Sequence, residues 1–178
     1  VVTISDVWPI RTGEVKGGGE ESPPVSPSGL CATTTAAGSS WPQMRHVVVI
    51  GADGQLGTDL GPALRSFRVT PLTIADIDVR EAERVREVLG ALRPDAVVNT
   101  SAFHQVDTCE TQPEMSFAVN ATGAYNLACL AAAFDFTLVH FSTDFVFDGS
   151  GDRAWAEKDR AAPLNVYGQT KLDGEELV

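Results

Sequence analysis

Tyr167 and Lys171 stand four positions apart in NVYGQTKLDGEEL, residues 165–177. On a helix that spacing stacks both side chains on one face, one turn apart. An ammonium beside a phenol eases loss of the phenolic proton, so the pair suits acid–base chemistry. Such pairs also arise by chance, and the meaning of this one depends on what lies upstream.

Three upstream stretches carry compatible chemistry. In GADGQLG (51–57), Gly51 permits a tight exit from a strand, Gly54 lets a ligand approach the backbone, and Gly57 lets a helix pack close. The amides of Gln55, Leu56 and Gly57 would then face a pyrophosphate at the helix start. HFSTDFVFDG (140–149) puts Ser142, Thr143 and Asp144 at a strand mouth, where a hydroxyl could bond a substrate carbonyl and Asp144 a sugar hydroxyl, though taken alone the three read equally well as a turn. NTSAFHQVDTCE (99–110) offers small residues, through Ala102, against which a cofactor can lie. Beside them, His104 reads as a loop residue lining the cofactor or substrate side. No second His or Cys stands at ligand spacing from His104, so no metal is expected.

These stretches need elements to place them. HVVVI (46–50), VTPLTI (69–74), DAVVNTSA (95–102) and TLVHFST (137–143) read as strands, Pro71 marking an edge. Residues 55–67, 78–94, 113–134 and the final segment read as helices. Alternating strands and helices predict an α/β fold, a Rossmann-like doubly wound parallel sheet. Ligands in that fold sit outside the carboxyl ends of the strands, where all three stretches lie.

A dinucleotide site has a selector near the end of its second strand: an acid for ribose hydroxyls or an arginine for a 2′-phosphate. That position falls on Thr73, followed by Ile74, and neither device is present. The choice between NADH and NADPH stays open. Asp76 and Asp78 follow, both readable as cap or turn residues, with Asp78 and Val79 candidates for the adenine end.

The 178 residues carry a formal charge of −11 without a basic cluster, against nucleic acid or anionic membrane as main partner. No apolar run of transmembrane length stands out. Three cysteines without a CxxC pair suit reduced thiols and a cytoplasmic setting. Residues 1–44 have GGG, PPVSP and a Thr triplet but few apolar clusters, and read as a disordered or non-native extension ahead of Met44. Residues 45–178 read as the NAD(P)-binding domain.

Together, the glycine pattern, Ser-Thr-Asp and Tyr-x-x-x-Lys resemble the extended short-chain dehydrogenase/reductases. Within them, GADGQLG, VVNTSAFHQVDTCE, AVNATGAYNLA, VHFSTDFVFDG and PLNVYGQTKLDGE are similar to the dTDP-4-dehydrorhamnose reductase family. The resemblance implies NAD(P)H-dependent reduction of the C4 keto group of a 4-keto-6-deoxy nucleotide sugar. It implies Tyr167 as proton donor, Lys171 as holder of the nicotinamide ribose that lowers the tyrosine pKa, and Thr143 as partner of the reacting oxygen. It maps Gly54, Gln55, Leu56, Ala102, Phe103 and His104 onto cofactor contacts. Phe103 and His104 depart from the Tyr and Thr common in the family. The family continues past the point matching Val178 with a smaller substrate domain, so this chain is expected to be a fragment, inactive alone. A homodimer of the longer protein stays open. The alternatives are another nucleotide-sugar reductase or epimerase, and a non-catalytic NADP-binding subunit like the methionine adenosyltransferase regulatory subunit.

Overall fold

The computed structural model describes residues 45–150, 153–156 and 158–178. The reading of residues 1–44 as an extension lies outside them.

Four strands form one parallel sheet in the order β2-β1-β3-β4. They are β1 (His46–Ile50), β2 (Arg68–Leu72), β3 (Ala96–Asn99) and β4 (Thr137–His140). The helices are α1 (Gln55–Ala63), α2 (Ala82–Leu92), α3 (Val106–Thr111), α4 (Pro113–Phe117), α5 (Gly123–Phe134) and α6 (Val166–Leu177). β1 and β3 are buried throughout, as a sheet covered on both faces requires. Alternation divides β1 between two cores. Val48 and Ile50 join Val85, Leu89, Leu127 and Leu138 in one core, which packs α2 and α5 against the sheet. Val47 and Val49 face the opposite way with Val98, packed by Leu60 of α1 and Leu64 just past its end. Helices on both faces of a parallel sheet give the doubly wound architecture that the alternation predicted. β2 is an edge strand, paired only with β1, where Pro71 costs no ladder hydrogen bond.

The structure departs from the sequence expectation in four places that matter for the site. The second helix starts at Ala82 rather than 78, because Asp78 turns the chain first: its carboxylate accepts from the Arg80 amide at 3.0 Å. The third and fourth strands are shorter at their carboxyl ends, releasing Thr100–Ala102 and Phe141–Thr143 into loops. An unexpected α3 follows His104, and its Glu110 carboxylate accepts from the Val166 amide at 2.8 Å, helping to start α6. Finally, α4 runs into α5 through a π turn, Ala118–Thr122. By length and composition the continuous Pro113–Phe134 helix could reach across a bilayer, contrary to the sequence expectation. In the fold it is a core helix, with Leu127, Leu130 and Ala131 against the sheet.

Candidate functional site

Chain order reverses between β1 and β3, and the carboxyl ends of these strands open onto a cavity of about 730 Å³. This is the crevice in which doubly wound sheets hold ligands. Its wall contains Gly51, Gly54, Gln55, Leu56 and Gly57 from the first turn. It also contains Asp78 and Val79 after β2, and Ala102, Phe103 and His104 after β3.

Gly51 makes the strand exit at φ +79°, a backbone state disfavoured for other residues. A Cβ there would also lie 2.9 Å from the Ser101 amide nitrogen. Thr100 closes the turn from the other side, its hydroxyl donating to the carbonyls of Ile50 (2.8 Å) and Gly51 (3.1 Å). α1 then begins at Gly54 with no capping side chain and no acidic residue in its first turn. Its first amides therefore have neither an internal acceptor nor a side-chain cap, an arrangement suited to a bound anion, and Asp53 just ahead of them also lines the cavity. A glycine-rich turn beside an uncapped helix start fits the pyrophosphate of a dinucleotide.

The polar groups of the wall after β2 are engaged with one another. Thr73 is not among the residues lining the cavity: its amide and hydroxyl both donate to Asp76, at 2.8 and 2.9 Å. Those bonds hold the Asp76 carboxyl below its ordinary range. The exposed Ile74 lines the cavity instead. Asp78 also lines it, but Arg80 grips its carboxylate, with Nε at 2.9 Å from Oδ1 and 3.0 Å from Oδ2. The hydrogen bonds from Arg80 pull the Asp78 pKa down.

The second part of the site forms where β4 ends. Thr143 opens a short 3-10 turn (Asp144–Val146), its hydroxyl accepting from the Phe145 amide at 3.3 Å. Phe145 packs edge-to-face on Tyr167, ring centroids 5.7 Å apart. The side chain of Asn165 caps α6 through the Gly168 amide at 2.7 Å and aims its first turn at this loop. α6 can approach because Gly168 has no Cβ, which would fall 2.2 Å from the Phe145 carbonyl oxygen.

Tyr167 is half-buried, and burial raises its pKa above the ordinary 10, with nearby Thr143 acting the other way. This differs from the expectation that Lys171 lowers it. Lys171 is turned inward and buried, its Nζ donating to the Phe141 carbonyl at 2.5 Å and lying 3.4 Å from His140 Nε2. Burial brings Lys171 down to about 8, against the attraction of Glu175. A protonated phenol is the form a proton donor needs, so the raised value suits that role.

Sequence reasoning passed over Asn120. Fully buried in the π turn, it accepts from the Phe103 amide at 2.8 Å and donates to the Phe103 carbonyl at 3.0 Å and Thr170 Oγ1 at 3.0 Å. It ties the cavity loop to α6. A π turn is the available signal for such a residue, and no local residue pattern announces one.

His140 is also buried, and desolvation, with Lys171 second, depresses its pKa to about 3. An unfolded histidine takes its proton near 6.5, so between these values the unfolded chain binds the extra proton. Stability from this group is therefore present above pH 6.5 and falls with pH. Its contribution should decline by about 2 kcal/mol from pH 6.5 to 5. Urea unfolding across that window checks it: the stability difference between the wild type and His140→Gln should shrink as pH falls, and a constant difference refutes it.

Comparison with known proteins now bears on these features. Residues 44–178 match the family model described as RmlD substrate binding domain. The chain is 38% identical over 137 residues to the spore coat polysaccharide biosynthesis protein SpsK of Bacillus subtilis, covering 76% of this chain and 48% of that protein. It is 38% identical over 139 residues to dTDP-4-dehydrorhamnose reductase of Escherichia coli, covering 75% and 46% respectively. Among solved structures, dTDP-4-dehydrorhamnose reductase of Bacillus anthracis in complex with NADP superposes with a TM-score of 0.74 at 31% identity, covering 78% of this chain and 50% of that one. The chain spans about half the length of the curated relatives it matches.

Proposed function

Because the chain belongs to the RmlD substrate binding domain family, we propose that it serves NAD(P)H-dependent reduction of the C4 keto group of a 4-keto-6-deoxy nucleotide sugar. The reading takes dTDP-4-dehydrorhamnose to dTDP-rhamnose. Residues 45–178 act as the dinucleotide-binding domain and supply the proton-donating group. The observation carrying this reading is the glycine turn and uncapped α1 start at the switch-point cavity, which suit the pyrophosphate of a dinucleotide. The names of the relatives agree with it.

When bound, the reduced dinucleotide supplies the hydride. The bare α1 start holds its pyrophosphate through the amides of Gln55, Leu56 and Gly57. Asp78 and Val79 meet the adenosine end, with Thr73 behind that wall. Ala102, Phe103 and His104 line the middle of the cavity. Thr143 donates to the carbonyl oxygen of the sugar and steadies charge as it develops there. Tyr167 gives that oxygen its proton, and its raised pKa keeps it protonated at neutral pH. Lys171 would hold the nicotinamide ribose, and Asp144 would orient a hydroxyl of the sugar. Free Cys109 and Cys129 suit a cytoplasmic setting.

Two measurements test the reading. Titration of this chain with NADPH and NADH should enhance nucleotide fluorescence saturably with at least one of them. In the whole protein, dTDP-4-dehydrorhamnose should then consume the reduced dinucleotide. Binding without turnover of any nucleotide sugar would replace the reductase with a dinucleotide-binding subunit. No binding of either nucleotide would remove the dinucleotide reading altogether.

A further inference from the structure

A file of buried polar groups crosses the carboxyl ends of β3 and β4, from the cavity wall to Lys171. Ser101, which lines the cavity, donates to Asn99 Oδ1 through both its hydroxyl (2.6 Å) and its amide (3.1 Å). Asn99 Nδ2 lies 3.1 Å from His140 Nδ1. On the far side of that ring, His140 Nε2 lies 3.4 Å from Lys171 Nζ. Asn99, His140 and Lys171 are 1%, 4% and 3% exposed, so little water reaches the file.

The protons in this file can be placed by donor and acceptor counting. The Ser101 amide is a donor that cannot be turned around, so the Asn99 atom facing it is oxygen and the other is NH₂. That NH₂ donates to His140 Nδ1, which must accept. A neutral imidazole has one N–H, and with Nδ1 accepting, it sits on Nε2. Nε2–H points at Lys171. An ammonium has donors only and cannot receive it, whereas a neutral amine can, while still donating to the Phe141 carbonyl.

We propose that His140 is a positioning residue that sets the protonation of Lys171: locked by Asn99 in its Nε2–H tautomer, it gives the Lys171 ammonium no acceptor and favours the neutral amine, the proton going to solvent. The depressed pKa values of both residues agree with this placement. Two other groups act on the pair. Glu175, one turn further along α6, favours the charged lysine, and its carboxylate accepts from Ser142. The Phe141 carbonyl accepts from either form. The proposal deepens the functional reading above, in which Lys171 partners Tyr167, but the geometry stands without it.

The test is made on the chain without dinucleotide, so failure of the reductase reading does not affect it. Long-range proton–nitrogen correlation of the histidine rings should show His140 as the Nε2–H tautomer. Side-chain carbon NMR of Lys171 should show a midpoint near 8. In His140→Gln, the amide can turn its oxygen toward Nζ and accept from the ammonium. The Lys171 midpoint should then rise by about one pH unit or more, about tenfold in proton affinity. An Nδ1–H tautomer overturns the proposal, as does an unmoved midpoint in folded His140→Gln. If that variant does not fold, the wild-type tautomer decides alone.

Discussion

Tyr167→Phe should lower kcat for keto reduction in the whole protein by about 10²–10⁴-fold, the usual worth of a positioned proton donor. Dinucleotide affinity should stay within about twofold. The ring keeps its edge-to-face packing on Phe145, because only the phenolic oxygen is removed. What disappears is the phenolic hydroxyl, the proton source in this reading. Lys171 does not take over in this reading, because its Nζ is committed to the nicotinamide ribose. Stability should change by less than about 1 kcal/mol, the net worth of one hydrogen bond at a half-buried site. The measurements are steady-state loss of reduced-dinucleotide absorbance, nucleotide fluorescence titration and urea unfolding. A kcat within threefold of wild type would strip Tyr167 of the proton-donor role.

The same residue shows where the sequence speaks and where it stops. Spacing places Tyr167 and Lys171 on one helix, and α6 carries both. Spacing says nothing of what each side chain meets. The Lys171 partner lies 30 residues upstream, at the end of a strand that stops three residues earlier than its apolar pattern suggests. The inferred sign of the Tyr167 pKa shift was lost with that contact. HVVVI followed by glycine needed no partner information: a β-branched run and a turn residue define strand and exit locally. Asn120 is the opposite case, since its meaning comes from Phe103 and Thr170, 17 and 50 positions away. Asp78 lies between these cases. Its turn-forming bond is local, yet a helix periodicity running over it conceals the turn and puts the helix start four residues early. Local geometry is legible in residue types, whereas charge state and long-range polar pairing require the packed chain.

Gly57→Ala should damage the cavity more than its size suggests. A Cβ at Gly57 would lie 2.3 Å from the Gly51 carbonyl oxygen, 2.7 Å from Ala52 Cα and 3.0 Å from Ala52 carbonyl carbon. All three are backbone atoms of the strand exit, so no flexible side chain can yield, and α1 must lift off the turn. Alanine would add about 1 kcal/mol of helix propensity, but overpacking against fixed atoms costs about 1–3 kcal/mol. The stronger consequence concerns binding. Lifting α1 carries the amides of Gln55, Leu56 and residue 57 away from the pyrophosphate position together, and a tenfold loss of affinity needs only about 1.4 kcal/mol. NADPH affinity should drop by about 10–100-fold on that scale, with a lower urea midpoint. Gly61→Ala on the same helix is the matched control: its added Cβ meets nothing within 4 Å. That variant should stay within about 1 kcal/mol of the wild type, because Pro62 behind it offsets the helix-propensity gain, and it should bind as the wild type does. Equal nucleotide affinity in the two variants would mean that close packing at Gly57 does not position the α1 amides.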